Sequence, residues 1–240
     1  MQLNRIFLFF FALLLLLSVL SGCSVATAAD PTDDRAVSGD ESNFLDTLTF
    51  LGDSTTAHMQ QRSPIAAERI WATPERYLNL DARITYAKII APDNGKPETI
   101  KAVAARLKPK RLVITLGIDY GVYYYRDRPD TFRLYYEKLL SAIAEASPET
   151  ELILQSVFPV GRECKTITNQ MVASANGIIQ EIAASRGLSF VDQTAVLADS
   201  EGFLKQEYCY SSDGLHLTEN AYSAILAHLS SFSDEIGGKA

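Results

Sequence analysis

Short apolar runs alternate with amphipathic stretches from residue 47 to residue 232. "TLTFLG" (47–52), "RLVITLG" (111–117), "ELILQSVFP" (151–159) and "LSFVD" (188–192) predict buried strands. Between them, "PETIKAVAARLKP" (97–109) puts Ile100, Val103, Ala104 and Leu107 on one helical face. Residues 131–147 and 168–187 predict two more helices, the second ending on Gly187, a residue suited to a left-handed C-cap. Residues 218–232 predict a last helix opened by Thr218. "SPIAAERIW" (63–71) predicts a helix with Ser63 as cap and Pro64 in its first turn. "YLNLDARITYAKII" (77–90) is β-rich and leaves two readings open, a strand or an excursion with one edge strand. The alternation argues for an α/β class: three layers, α/β/α, around a mostly parallel central sheet.

In such a sheet the functional groups sit beyond the C-terminal strand ends. Ser54, in "FLGDSTTAHM", follows the first strand at a strand-to-helix turn, where "DSTT" supplies several N-cap residues. Ser54 is either a cap or a nucleophile, and a nucleophile needs a base and an orienting acid. The loop before the last helix, "YCYSSDGLHLTENAY" (208–222), offers both. Asp213 and His216 are three apart around Gly214, so the carboxylate can take the Nδ1 hydrogen and leave Nε2 as base. The other histidines are His58, one helical turn after Ser54, which could line the site, and His228, on the last helix. No Cys/His/Asp/Glu cluster has metal-ligand spacing and no phosphate-binding glycine loop occurs, so the expected chemistry uses no metal and no cofactor.

Gly52-Asp53-Ser54 near the domain start and Asp213-x-x-His216 before the last helix resemble blocks I and V of the GDSL/SGNH hydrolases. "LVITLGIDYG" occupies the place of their third block. The resemblance runs from residue 50 to about 232 and implies the flavodoxin-like SGNH hydrolase fold. It implies Ser54 as nucleophile, His216 as general base and then acid, and Asp213 as the group orienting His216. The Ser54 N–H would be one oxyanion donor, Gly117 would allow close backbone approach, and Asp53 would hold the loop together. Two departures stand out. Asp119 takes the place of an asparagine whose amide would serve the oxyanion, and an ionised carboxylate cannot donate. Gly95, in "APDNGK", is the one candidate for the glycine donor of the second block. With that fold, Cys164 and Cys209 would meet at one rim, and a disulfide between them is expected in an oxidising compartment.

The chain start bears on that compartment. "MQLNR" carries Arg5 alone, "IFLFFFALLLLLSVL" is apolar but short for a span, and "LSGC" follows. Residues 1–22 are similar to a lipoprotein signal peptide, with Cys23 in the place of the acylated cysteine of bacterial lipoproteins. Residues 23–41 would be a lipidated cysteine and flexible tether, and residues 42–236 the hydrolase domain. That arrangement implies a lipid anchor on the extracytoplasmic face of a bacterial cell membrane. The chain has 22 Lys+Arg against 29 Asp+Glu, a net charge of −7, and shows no electrostatic footprint for nucleic acid. The tyrosines of "DYGVYYYRDRPD" (119–130), including Tyr120, Tyr123, Tyr124 and Tyr125, suit sugar faces or loop packing, and Trp71 suits packing. The expected activity is hydrolysis of O-acyl or O-acetyl esters of envelope glycans. The alternatives are an SGNH-fold glycan binder without turnover and an O-acyltransferase.

Overall fold

The computed structural model describes residues 44–237. Its centre is a five-stranded sheet of β1 (Leu48–Gly52), β2 (Ile70–Trp71), β5 (Arg111–Thr115), β6 (Glu151–Gln155) and β7 (Ser189–Val191), ordered β2-β1-β5-β6-β7 and parallel throughout. The order reverses next to β1, and that switch point is where such sheets place their sites. β1 and β5 are buried along their whole length, as the central strands of a covered parallel sheet are. β3 (Lys88–Ile90) and β4 (Pro97–Thr99) form a separate antiparallel hairpin.

The principal helices are α1 (Ser54–Arg62), α2 (Ile100–Leu107), α3 (Pro129–Ala146), α4 (Asn169–Arg186) and α6 (Glu219–Ser230), with short α5 (Thr194–Leu197) and α7 (Ser233–Gly237). Two apolar clusters divide the core. One joins Leu112, Ile114 and Leu154 to Val103, Tyr136 and Ile179 of α2, α3 and α4. The other joins Phe50, Val113 and Ile153 to Met59, Tyr222 and Leu226 of α1 and α6. The alternate residues of β5 therefore enter opposite clusters, which is the layer arrangement the strand pattern predicts. Thr99, Thr168 and Thr218 cap α2, α4 and α6 through their hydroxyls, and Gly187 ends α4 at φ 67°.

Two expectations are corrected, and one open reading is decided in favour of an excursion with a single short strand. Residues 63–71 do not form a helix: Ser63 caps the C-terminus of α1, one 3₁₀ turn covers Ala67–Arg69, and Ile70–Trp71 pair with Phe50 and Leu51 as an edge strand. Burying Ile70 and Trp71 on that edge outweighs the local helical signal. Residues 97–99 are the second hairpin strand, and the helix begins only at Ile100. Residues 77–90 are largely irregular, with a 3₁₀ turn at Ile84–Tyr86 and only Lys88–Ile90 extended. Residues 1–41, where the signal peptide, Cys23 and the tether are expected, lie outside the described residues.

Tyr222 ties the last long helix to the first. Its buried hydroxyl donates to Thr55 O at 2.6 Å. Tyr222→Phe is expected to lower stability by about 1 kcal/mol, read by denaturant unfolding, because one buried hydrogen bond is lost and a small void is left.

Candidate active site

The site assembles beyond the C-terminal ends of β1 and β5. Gly52 is required there by close approach: a Cβ on it would lie 2.1 Å from Thr115 O and 2.3 Å from Thr56 Oγ1. The chain then turns at Asp53, which caps α1 and accepts from Thr55 N at 3.3 Å and Thr55 Oγ1 at 2.8 Å. Its other oxygen accepts from Gly117 N and Ile118 N, each at 2.9 Å. Asp53 is thus the buried link between the Ser54 turn and the loop after β5. Gly117 has φ 142° and a Cβ there would meet Val157 at 3.1 Å. Its N–H is committed to Asp53 and is no oxyanion donor.

Ser54 opens α1 with its N–H and hydroxyl both directed at Asp119. Ser54 N donates to Asp119 Oδ2 at 2.7 Å, and Ser54 Oγ donates to Asp119 Oδ1 at 2.6 Å. The Asp119 carboxylate therefore sits as an anion on the helix N-terminus, in the position a developing oxyanion would take. Asp119 accepts where an amide would donate, so the expected donor is replaced by an occupant.

Asp53 and Asp119 are electrostatically linked. Burial, with the Asp119 charge second, pushes Asp53 from its ordinary 3.8 up to about 7, against the pull of its donors. Burial raises Asp119 as well, against the opposing hydrogen bonds from Ser54 and the His216 field. A buried carboxyl beside a half-buried one resists a double negative charge, so protons bind to the pair more readily than to free carboxyls. Both carboxyls are therefore raised, and the pair titrates as one unit.

On the facing loop, His216 Nδ1 lies 2.6 Å from Asp213 Oδ2. Asp213 Oδ1 accepts from Leu215 N at 2.8 Å and from His216 N at 3.3 Å. Partial burial disfavours the Asp213 charge, but the nearby Ser211 hydroxyl, these N–H groups and the imidazole outweigh it and hold the carboxyl well below the usual range. Asp213 is therefore an ionised acceptor that fixes His216 with Nδ1 protonated and Nε2 free. Ser54 Oγ donates to Asp119 rather than to His216 in this structure.

Ser54, His58, Asp119 and His216 line one open cleft. The His58 ring centroid is 4.5 Å from that of His216. Arg62 Nη1, a donor only, lies 3.3 Å from His58 Nδ1, so Nδ1 accepts and Nε2 carries the hydrogen. Burial first, then the His216 and Arg62 charges, lowers the His58 pKa to about 4, and the ring is neutral near pH 7. His228 lies away from the cleft, with Nε2 3.2 Å from Asp192 O.

The remaining sequence candidates divide. Gly95 does not reach the site: it sits at φ 71° in the exposed β3–β4 turn, with no atom within 4 Å of where its Cβ would be. Its glycine serves the hairpin. The Cys164–Cys209 disulfide is not formed, and both cysteines are free thiols. Cys164 packs against the α2–α3–α4 cluster and Cys209 against the α1–α6 cluster, so their side chains serve different layers. The two loops are joined by backbone instead, with Gly161 N donating to Gly214 O at 2.8 Å. Tyr120 and Tyr124 stack with centroids 3.9 Å apart, Tyr125 is buried, and none of these lines the Ser54 cleft. Trp71 is buried packing.

Sequence reasoning missed Glu75, Arg76, Tyr77 and Asn79, which complete the cleft wall. They lie in the irregular segment that follows β2, where no periodicity marks them. The φ of 64° at Arg76 has no sequence signal, because arginine is not a left-handed former.

The family model for the GDSL-like lipase/acylhydrolase family matches residues 50–224. No curated protein gives a significant match. Among solved structures, the chain is similar to a candidate platelet activating factor from Streptococcus pneumoniae, at 17% identity and a TM-score of 0.53, over 83% of this chain and 93% of that one. It is also similar to a carbohydrate esterase family 3 protein from Talaromyces cellulolyticus, at 14% identity and a TM-score of 0.52, over 80% and 98%. These likenesses carry the fold, and the parallel sheet, the Ser54 turn and the Asp213–His216 pair carry the site. The chain belongs to the GDSL-like lipase/acylhydrolase family and is an SGNH-type esterase.

Proposed function

We propose that this esterase acts on O-acyl esters, chiefly O-acetyl groups, of cell-envelope glycans, from a lipid anchor on the extracytoplasmic face of a bacterial membrane. The single observation carrying the chemistry is that Ser54 and the Asp213-oriented His216 line one cleft. Ser54 Oγ attacks the ester carbonyl and His216 Nε2 takes its proton. His216 returns the proton to the departing alcohol, leaving an acyl-Ser54. Water, activated by the same imidazole, then releases the acid. For this sequence Asp119 must give up the Ser54 hydroxyl and N–H. Protonated Asp119 can instead donate toward Ser54 Oγ or the oxyanion, which frees the serine proton for His216. The envelope location and the glycan rest on "LSGC" at residues 20–23 and on the open polar cleft. The carbohydrate esterase among the fold neighbours agrees with that reading.

The test is acetate release from p-nitrophenyl acetate and from O-acetylated glycan by the full chain beside Ser54→Ala. Release is expected to fall to background in the variant, and equal rates in both proteins would sink the hydrolase reading. The bidentate hold of Asp119 on Ser54 favours one second reading, a protein that binds the glycan ester and turns it over only slowly. Under that reading Ser54→Ala retains glycan binding while wild-type release is already near background.

A further inference from the structure

Arg76 stands apart among the charged groups of the cleft. Its φ of 64° lies in the left-handed region, which side chains with a Cβ seldom adopt. The turn that imposes this is closed from within. Arg76 N donates to Thr73 O at 2.9 Å, Tyr77 N donates to Thr73 Oγ1 at 3.0 Å, and Thr73 Oγ1 donates to Tyr77 O at 2.6 Å. Thr73 is buried and so anchors the turn to the body of the domain. The fold therefore maintains a costly backbone conformation at a residue that lines the Ser54 cleft. Such strain collects where a side chain must be held in a fixed place.

The guanidinium of Arg76 is also uncommitted. Among the described residues, every other arginine side chain donates to or pairs with a protein group. Arg76 has no such partner and is exposed at the cleft. Glu75 lines the same cleft without pairing to it. Arg76 lies near enough to His58 to help lower that ring's pKa. The cation thus shares the cleft with His58 and Ser54. A guanidinium fork matches the oxygens of a carboxylate or phosphate. In a chain of net charge −7, an unpaired cation at the cleft gives an anionic substrate a local attraction that the overall field denies it. Tyr77, 48% exposed, and Asn79 stand on the same wall and offer a ring face and an amide to the rest of a sugar.

We propose that Arg76 is the specificity-determining residue of this cleft and binds an anionic substituent, a carboxylate or phosphate, on the sugar whose ester Ser54 attacks. The proposal rests on the glycan-ester reading above and names the substrate class within it. Binding away from the carbonyl would orient the ester against Ser54.

The experiment measures kcat/KM for acetate release from three probes: O-acetylated methyl glucoside, methyl glucuronoside and methyl glucoside 6-phosphate. Wild type, Arg76→Gln and Arg76→Gly are compared, each also carrying Asp119→Asn in a second series. Glycine accepts the left-handed backbone, so Arg76→Gly removes the cation without added strain. Wild type is expected to prefer at least one anionic probe over the neutral one, and the preferred anion identifies the carboxylate or phosphate source. In both Arg76 variants the anionic-to-neutral ratio should fall about tenfold, with the salt dependence of that ratio lost. An equal ratio in wild type and variants, or no anionic preference in wild type, overturns the proposal while Ser54-dependent release of the neutral probe leaves the hydrolase reading intact. Absence of Ser54-dependent release from all three probes in both series overturns the hydrolase reading itself.

Discussion

Asp119→Asn is expected to raise Ser54-dependent ester hydrolysis about a hundred- to a thousandfold at pH 8, the inverse of losing one oxyanion donor. An asparagine keeps an oxygen to accept from Ser54 N, as Asp119 Oδ2 does at 2.7 Å. It replaces the anion held against Ser54 Oγ with a neutral amide that donates. The gain should depend on pH in one direction. Burial raises the Asp119 pKa, so acid neutralises Asp119 in the wild type and returns a donor to the site. The ratio of variant to wild-type kcat/KM should therefore shrink as pH falls. Stability gives a second readout with the same sign. A carboxyl raised from 3.8 to about 7, as Asp53 is, contributes its stability fully below the lower value and loses it as pH rises through the higher one. Removing the neighbouring Asp119 charge should raise Tm at pH 8 and leave it nearly unchanged at pH 4. A variant no faster than wild type at pH 8, with Tm unchanged there, would show that Asp119 does not suppress the site.

His216→Ala, in the Asp119→Asn background, is expected to lower kcat about a thousand- to ten-thousandfold. The loss belongs to His216 rather than to its neighbour for a physical reason. His216 has Asp213 Oδ2 2.6 Å from Nδ1 to orient it and to stabilise the imidazolium. His58, with a centroid 4.5 Å away, is held near a pKa of about 4 and bonded by Arg62, which leaves it a weak proton acceptor. His58→Ala should cost less than about tenfold in kcat. Asp213→Asn should follow His216→Ala in direction, since it removes the acceptor that fixes the tautomer. Single-turnover acylation with p-nitrophenyl acetate separates the variants. Comparable losses from His216→Ala and His58→Ala would reassign the base.

Much of the layer architecture was legible because the apolar code of a parallel sheet is strong. "RLVITLG" and "ELILQSVFP" contain β5 and β6, and Thr168, Gly187 and Thr218 mark helix ends. Residues 63–71 and 97–99 differ from the local pattern because their elements are short and their state is set by partners: Ile70–Trp71 become a strand only by pairing with Phe50 and Leu51. Gly95 fitted a spacing but is a hairpin glycine, a distinction that depends on where β3 and β4 lie. Cys164 and Cys209 occupy loops that meet, yet their side chains enter different clusters, and loop proximity does not set side-chain direction.

The sequence by itself determined the alternation that makes a parallel sheet, the serine at a strand-to-helix turn, and the Asp213–His216 pair three residues apart. Those features are local, and local periodicity and turn chemistry express them directly. Tertiary structure alone decided that Asp119, 65 residues from Ser54, seats its carboxylate on the Ser54 N–H and hydroxyl. It alone decided that Asp53 binds the loop after β5, and that a strained Arg76 faces the same cleft with no partner. These depend on the adjacency of β1 and β5 and on a turn pinned by buried Thr73, and contacts between distant segments leave no period in the chain.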